Sequence, residues 1–190
     1  MPFTSDPSAD LTETTRASED VYDGALLHVF RDTVETPSGG TSVREWIRHP
    51  GASAVIPLFE DGDTLLVRQF RYPPRRTFLE LPAGKLDVPG EEPAEAARRE
   101  LAEEVGLTAD RLTPLGPLYP CIGYSDEVIH FFLAEGLTEG AQNLADGEHA
   151  VPVRMPFAAA VARARRGEIA DMKTAMGLVL ADAHLAARRA

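Results

Sequence analysis

Three glutamates stand close together in the middle of the 190-residue chain, at a spacing that could hold a metal ion. Glu100, Glu103 and Glu104 lie at positions i, i+3 and i+4, and on a helix this spacing puts their carboxylates on one face. Like charges at this spacing cost about 0.2–0.5 kcal/mol per pair. A hard cation would neutralise them, and oxygen ligands without His or Cys favour Mg²⁺ or Mn²⁺ over Zn²⁺. The alternative is an ordinary solvated acidic face of a helix.

The helix that carries these glutamates is predicted to begin at Pro93 and to end near Gly106, since proline suits the first helical position and glycine the end. Its apolar residues recur at steps of three and four, which predicts a stripe that faces the core. The stripe consists of Ala94, Ala97, Leu101 and Val105. Glu100 and Glu104 flank the stripe on a helical wheel. We therefore expect their carboxylates at the edge of the buried surface.

Strands and further helices are predicted around this helix. The predicted strands are 25–34, 41–48, 52–59, 64–72, 78–81, 115–119, 127–134 and 151–155, and the other helices are 156–166 and 172–188. The turn Glu60-Asp61-Gly62-Asp63 predicts that the third and fourth strands form a hairpin. Pro82-Ala83-Gly84 is predicted to be a turn.

The order of these elements predicts a fold of the α/β (α+β) class, with a mixed β-sheet packed against helices. Residues 1–20 are polar and acidic, and we expect them to be a disordered tail. Antiparallel strands in 21–50 precede the main domain, which is expected to span 51–190.

Composition and charge limit the classes of function. The net charge of −11 argues against nucleic-acid binding, so a phosphate-bearing ligand would have to be attracted locally by metal and arginine. The chain contains no apolar run near 18 residues and no basic-then-apolar leader, which predicts no membrane span and no secretion signal. Cys121 is the only cysteine, which fits a reducing compartment. These features predict a cytoplasmic protein.

The run from Leu81 to Leu107 resembles the Nudix box, G-x5-E-x7-R-E-U-x-E-E-x-G-U, where U is apolar. Residues 99–107, RELAEEVGL, match its second half at every position, and Glu91 stands seven intervening residues before Arg99. Gly84 and Glu91 are separated by six residues instead of five. An extra residue therefore lies in the loop, where it can be absorbed without disturbing the helix.

This resemblance implies a Nudix-type α/β/α sandwich and metal-dependent phosphoanhydride hydrolysis, with Mg²⁺ as cofactor and Mn²⁺ as a possible substitute. It implies that the main-chain carbonyl of Ala83 joins the three glutamates as a metal ligand. It also implies that Glu91 pairs with Arg99 and holds the loop against the helix, so that both act by orienting the ligands.

The wider chain resembles the ADP-ribose pyrophosphatase branch of this family. The similar segments are Arg48-His49-Pro50-Gly51, Gln69-Phe70-Arg71-Tyr72-Pro73, Leu79-Glu80-Leu81-Pro82-Ala83-Gly84 and Gly123-Tyr124-Ser125-Asp126-Glu127. The branch commonly has a proline sixteen residues after the box glycine, where this chain has Ile122, with Pro120 two residues earlier. This departure concerns the substrate, not the reaction.

Substrate contacts are predicted at four residues, which are Trp46, Arg48, Arg71 and Glu127. Arg44, Trp46 and Arg48 alternate, so they share one face of a strand, where the indole could stack on a base between arginines that hold phosphates. Alternatively, the indole packs on the sheet beside solvated arginines. Arg71 either meets a phosphate or is a structural residue, and Glu127 could accept hydrogen bonds from ribose hydroxyls.

Glu148 falls in a loop where relatives often place a mobile catalytic glutamate, so it is either a metal ligand or general base, or an ordinary acidic loop residue. Three functions remain open. The first is hydrolysis of ADP-ribose to AMP and ribose 5-phosphate, and the second is the same chemistry on another nucleoside diphosphate compound, such as GDP-mannose or NADH. The third is a sensor that binds its ligand without turnover. The family resemblance also implies a homodimer, and it implies that the strands of 21–50 serve dimerisation or substrate contact.

Overall fold

The computed structural model describes residues 10–144, 147 and 149–190, which form two compact units. The first unit holds 10–49 and 121–126, and the second holds the rest. The strands of the first unit are β1 (Thr14–Asp23), β2 (His28–Glu35) and β3 (Thr41–Arg48). The elements of the second unit are β4 (Ala52–Pro57), β5 (Asp63–Arg71), β6 (Arg76–Glu80), β7 (Ala83–Lys85), α1 (Pro93–Val105), β8 (Leu107–Leu118), β9 (Ile129–Glu139), β10 (Ala150–Pro156), α2 (Phe157–Arg165) and α3 (Met172–Ala187). Within the described ranges, none of these helices is long and apolar enough to cross a membrane.

Strand β1 takes the place of part of the predicted disordered tail. It pairs antiparallel with β2, with Thr14 opposite Glu35. All of its residues are exposed, so main-chain pairing and cross-strand ion pairs hold it, such as Arg16 Nε to Glu35 at 2.8 Å. The prediction of disorder was wrong for residues 14–20 because it relied on low apolar content, which this strand does not need. Residues 1–9 lie outside the described residues.

Helices cover both faces of the sheets in the second unit. One sheet has the strand order β7-β4-β9-β8 and contains the parallel pair of β4 and β9, and the other has the order β10-β5-β6. Strand β4 is buried along its whole length. Its neighbouring residues Val55 and Ile56 belong to different apolar clusters, the first with Leu101 of α1 and the second with Leu178 of α3. This arrangement confirms the predicted α/β/α sandwich with a mixed sheet.

Strands β4 and β5 are joined by the predicted tight turn, but the hairpin prediction was wrong. The N–H of Phe59 donates to the carbonyl of Asp63 at 2.9 Å, and beyond the turn Leu58 and Thr64 form only an isolated bridge. Strand β4 has β7 and β9 as neighbours, so both of its edges are taken, and β5 pairs with β6 and β10 instead. A turn signal predicts where the chain reverses, but the competition among strands decides which of them pair.

Helix α1 begins and ends where the sequence predicts. Pro93 is its first residue, and Gly106 follows its end with a φ of 66°. Ala97, Leu101 and Val105 are buried, so the apolar stripe faces the core.

An ion-pair cluster around Glu135 joins β9 to β8 and to the end of α3. Arg111 Nη2 lies 2.8 Å from Glu135 Oε2, and Arg188 Nη1 lies 2.9 Å from the same oxygen. Partial burial alone would raise the pKa of Glu135, but hydrogen bonds from the two arginines outweigh it and lower the pKa below its usual value.

We expect Glu135→Gln to lower the free energy of unfolding at neutral pH by about 1 kcal/mol. A carboxyl whose pKa is lower in the folded state stabilises the fold above its unfolded pKa, and this stabilisation disappears as the pH falls through the folded pKa. The difference in melting temperature between wild type and variant should therefore be about 2–4 °C near pH 7 and vanish in the acid range below pH 4.5.

Differential scanning calorimetry from pH 7 to pH 3 measures this difference. Glu60→Gln is the control, because Glu60 is exposed in a turn and has no ion pair within the described ranges. A melting-temperature difference that is the same at all pH values would contradict the assignment.

Candidate active site

The three glutamates of α1 differ in how far they are buried. Glu104 is 7% exposed and lies among the buried residues of the helix. The Glu100 side chain is 12% exposed, whereas that of Glu103 is 42% exposed. Glu100 and Glu104 therefore lie at the edge of the core, as the helical wheel predicts, while Glu103 faces solvent more.

Strand β7 brings the main chain against these two carboxylates. Of the predicted turn at 82–84, only Pro82 lies at a bend, and Ala83 and Gly84 belong to this strand, which pairs with β4 with Ala83 opposite Ala54. The N–H of Ala83 donates to Glu104 Oε2 at 2.9 Å. The Glu100 carboxylate lies directly against the α-carbon of Gly84, and a β-carbon at that position would overlap it. A residue other than glycine at position 84 would therefore displace the Glu100 carboxylate.

Arg99 braces the cluster from the other side. Its Nε and Nη2 donate to the two oxygens of Glu91, each at 3.0 Å, in a bidentate pair. Its Nη1 donates to Glu100 Oε1 at 2.5 Å and to Glu103 Oε2 at 3.2 Å. The hydrogen bonds that Arg99 donates to Glu91 and the neighbouring carboxylates raise the pKa of Arg99 above its ordinary value. The predicted pair of Glu91 and Arg99 is thus present, and one guanidinium contacts three carboxylates.

The extra residue before Glu91 is absorbed in a turn. The N–H of Glu91 donates to the carbonyl of Val88 at 3.1 Å, which closes a four-residue turn around Pro89 and Gly90. Gly90 has a φ of 78°, and proline followed by a residue with positive φ is typical of a type II turn, in which glycine is favoured. The insertion therefore changes the loop and leaves both the start of α1 and the pair of Glu91 with Arg99 intact.

The carboxyl end of α1 is held by a segment that the sequence analysis did not identify. The N–H of Asn143 donates to the carbonyl of Glu103 at 2.9 Å. The side-chain amide of Gln142 donates to the carbonyls of Glu104 at 2.6 Å and Ala150 at 3.2 Å. These donors satisfy carbonyls that a helix end leaves open, and they reduce the negative potential that anions meet there. No local signal reveals them, because they lie almost forty residues along the chain.

Arg71 forms a bidentate ion pair with Glu80. Its Nε and Nη2 each lie 2.7 Å from a Glu80 oxygen, and Lys173 Nζ lies 3.2 Å from Glu80 Oε2. Glu80 is 3% exposed, and burial alone would raise its pKa, but the hydrogen bonds from Arg71 and the charge of Lys173 lower it below the usual value. Glu80 and Lys173 are further residues of this region that local sequence patterns did not reveal. If Arg71 is a structural residue, which is one of its two predicted roles, Glu80 is the partner that it holds.

In the first unit, Trp46 and Arg48 belong to an aromatic cluster on one face of the strands. The rings of Trp46 and Phe30 stack with centroids 5.0 Å apart, and the guanidinium of Arg48 lies 4.1 Å from the centroid of Phe30. The indole N–H of Trp46 donates to Asp32 at 2.9 Å. Arg44, on the same face, is bound by Glu13. Arg44, Trp46 and Arg48 thus share one face of the strand, as predicted. The ring that stacks on Trp46 in this structure is that of Phe30.

Glu127 and Glu148 are the remaining predicted site residues. Glu127 is partly buried and lies just before β9 in the second unit. Glu148 lies outside the described residues.

The donors available to a metal ion are all oxygens. Within the described ranges, no group of three or more His, Cys, Asp or Glu side chains is arranged to hold a metal. The three glutamates are thus not gathered into one metal-binding group there, and Arg99 contacts both Glu100 and Glu103. Glu104 accepts from the Ala83 N–H and Glu100 lies against Gly84, so both carboxylates lie beside β7. Carboxylate oxygens favour a hard divalent cation such as Mg²⁺ or Mn²⁺ over zinc.

Comparison with known proteins covers both units. Residues 48–174 match the family model of the NUDIX domain, and residues 13–47 match that of the nucleoside diphosphate sugar hydrolase N-terminal domain. ADP-ribose pyrophosphatase of Bacillus subtilis is 39% identical over 170 residues, which are 88% of this chain and 91% of that protein. GDP-mannose pyrophosphatase of Yersinia enterocolitica is 36% identical over 160 residues, 76% of this chain and 82% of that protein. The crystal structure of an ADP compounds hydrolase matches with a TM-score of 0.82 at 27% identity, over 95% of this chain and 98% of that one.

Proposed function

The chain belongs to the Nudix family as a pyrophosphohydrolase, and from that premise we propose that it hydrolyses ADP-ribose to AMP and ribose 5-phosphate with Mg²⁺ as cofactor. The observation that carries the proposal is that β7 contacts two carboxylates of α1, Glu104 through the Ala83 N–H and Glu100 at Gly84. The similarity to ADP-ribose pyrophosphatase of Bacillus subtilis over most of both chains supports the choice of substrate.

Nudix hydrolases generally require a divalent metal ion. In this chain Glu100, Glu104 and the carbonyl of Ala83 would hold it, with Glu103 as a further ligand. The bound metal ion would supply positive charge against the diphosphate and would lower the pKa of a water molecule that it coordinates. Arg99 limits the movement of Glu100 and Glu103, since it contacts both carboxylates and is itself fixed by Glu91.

The proton of the attacking water needs an acceptor near the cleaved bond. We assign this role to Glu148, with a contribution to metal binding as the alternative. The assignment depends on family resemblance, because Glu148 lies outside the described residues.

Contacts to the substrate are proposed at four residues. Trp46 and Arg48 would bind the base and a phosphate, a role supported by their place in a stacked aromatic and guanidinium cluster. Arg71 would interact with a phosphate while its Nε and Nη2 remain bound to Glu80. Glu127 would accept hydrogen bonds from ribose hydroxyls. We also propose a homodimer, in keeping with the resemblance.

A second candidate is the same reaction on another nucleoside diphosphate sugar. The similarity to GDP-mannose pyrophosphatase of Yersinia enterocolitica favours it specifically. A binding protein without turnover is the alternative from a different class. The retention of Glu100, Glu103 and Glu104 argues against that alternative, since a sensor without turnover would not need the full set of box carboxylates.

A substrate panel of ADP-ribose, GDP-mannose, NADH and diadenosine compounds tests the proposal. We expect the highest kcat/KM for ADP-ribose, no turnover in excess chelator, and recovery when Mg²⁺ is added. A higher kcat/KM for another compound would replace the substrate assignment. Turnover that persists in chelator would exclude the metal mechanism, and ligand binding without turnover on any compound would indicate a sensor.

A further inference from the structure

The peptide segment between β6 and β7 is held from two opposite sides. On one side the N–H of Ala83 donates to Glu104 Oε2 at 2.9 Å. On the other side the N–H of Leu81 donates to the hydroxyl of Thr174, in the first turn of α3, at 2.7 Å. Pro82, between them, has no N–H. The two main-chain donors of this stretch are therefore fixed by side chains of two different helices, one of which carries the glutamates.

Asp171 determines which way the Thr174 hydroxyl points. Asp171 is the N-cap of α3, and its Oδ2 accepts from the Thr174 N–H at 3.0 Å and from the Thr174 hydroxyl at 2.5 Å. A carboxylate can only accept hydrogen bonds, so the hydroxyl proton is directed to Asp171 and its lone pairs are left for the N–H of Leu81. The hydroxyl is thus oriented as an acceptor for this N–H.

Ion pairs tie the same cap to β6. Lys173 Nζ lies 3.0 Å from Asp171 Oδ2 and 3.2 Å from Glu80 Oε2. Glu80 is the residue directly before Leu81, and the guanidinium of Arg71 donates to both of its carboxylate oxygens. The amino end of α3 therefore contacts two successive residues ahead of Ala83, one through its side chain and the other through its main chain.

Thr174 is wholly buried, and Leu81 is 1% exposed. Water therefore cannot replace the lost partner if the hydroxyl is removed, and a buried N–H without a partner is costly. The segment would relieve this cost by shifting, and Ala83 is only two residues away. A displacement of about 1 Å in a catalytic group can reduce a rate by about a hundredfold.

We propose that Thr174, oriented by Asp171, is a positioning residue that sets the distance between the Ala83 main chain and the Glu104 carboxylate and so determines the affinity of this site for a divalent cation. The inference rests on the proposed function in so far as the site acts through a metal ion. Thr174 touches neither the metal donors nor the substrate contacts named above, and it acts only through Leu81.

The test compares Thr174→Val, which keeps the shape and loses the hydroxyl, with Thr174→Ser, which keeps the hydroxyl. Mn²⁺ binding to the substrate-free protein is measured by electron paramagnetic resonance, together with kcat, KM and the melting temperature. We expect Thr174→Val to weaken Mn²⁺ binding by about tenfold or more and to lower kcat more than it changes KM. Thr174→Ser should restore both Mn²⁺ affinity and kcat to within about twofold of wild type.

Val161→Ala in α2 is the control for stability, because Val161 is buried in the core beside α3 and lies outside the hydrogen bonds described here. It should lower the melting temperature and leave Mn²⁺ affinity unchanged. If Thr174→Val does not fold, Thr174→Ala removes the same hydroxyl without any risk of overlap and is judged by the same measurements.

Wild-type Mn²⁺ affinity in a folded variant that lacks the hydroxyl would overturn the proposal, and so would an equal loss in Thr174→Ser. Failure of the proposed function is a separate result. It would appear as a wild-type protein that turns over none of the nucleoside diphosphate compounds, whereas the positioning role is decided by Mn²⁺ binding without substrate.

Discussion

Glu104→Gln is expected to lower kcat by at least about a hundredfold while the protein stays folded. Glutamine has nearly the same shape, and its side-chain oxygen can still accept the hydrogen bond from Ala83, so β7 keeps its contact with α1. The substitution removes the charge that would hold the cation. Because this charge is 7% exposed, lies in the last turn of a helix and has Glu100 one turn before it, we expect the melting temperature to stay the same or to rise.

Steady-state kinetics, Mn²⁺ binding and thermal unfolding on the same preparation test this result. Glu92→Gln is the matched control. It makes the same charge change at the other end of α1, where the side chain is exposed and caps nothing, and it should leave kcat near the wild-type value. A near-normal rate in Glu104→Gln would remove Glu104 from the metal ligands.

Gly84→Ala is expected to lower kcat by about a hundredfold with little loss of stability. The added methyl group would occupy the space of the Glu100 carboxylate, and that carboxylate, at the end of a flexible side chain, must turn away. The φ of Gly84 does not lie in the left-handed region, so alanine meets no backbone strain there. The substitution therefore moves a candidate metal ligand by steric contact alone.

A double-mutant cycle with Glu100→Ala tests that route. If the methyl group acts through Glu100, Gly84→Ala should add little further loss when Glu100 is already alanine. Gly123→Ala is the control, since a β-carbon at Gly123 meets open space and its φ lies outside the positive range. Fully additive losses in the double variant would show that Gly84 acts by another route.

The sequence by itself determined the features that depend on short stretches of chain. The bounds of α1, its buried stripe and the place of Glu100 and Glu104 beside that stripe all follow from helix periodicity and from the residues that begin and end a helix. The family could also be predicted, because the spacing from Arg99 to Leu107 is itself local. The pair of Glu91 with Arg99 follows from the same resemblance, and it forms despite the extra residue because a turn absorbs that residue.

The tertiary structure alone decided which distant groups meet these residues. Ala83 reaches Glu104 because β7 pairs with β4. Leu81 reaches Thr174, which is 93 positions later in the chain, because α3 packs against this segment. Similarly, β4 and β5 part into two sheets because strands from elsewhere compete for their edges. Such contacts depend on which of many possible long-range pairings has the lowest free energy, and no short window of sequence contains that comparison. The glutamates were therefore visible in the sequence, while the groups that position them were not.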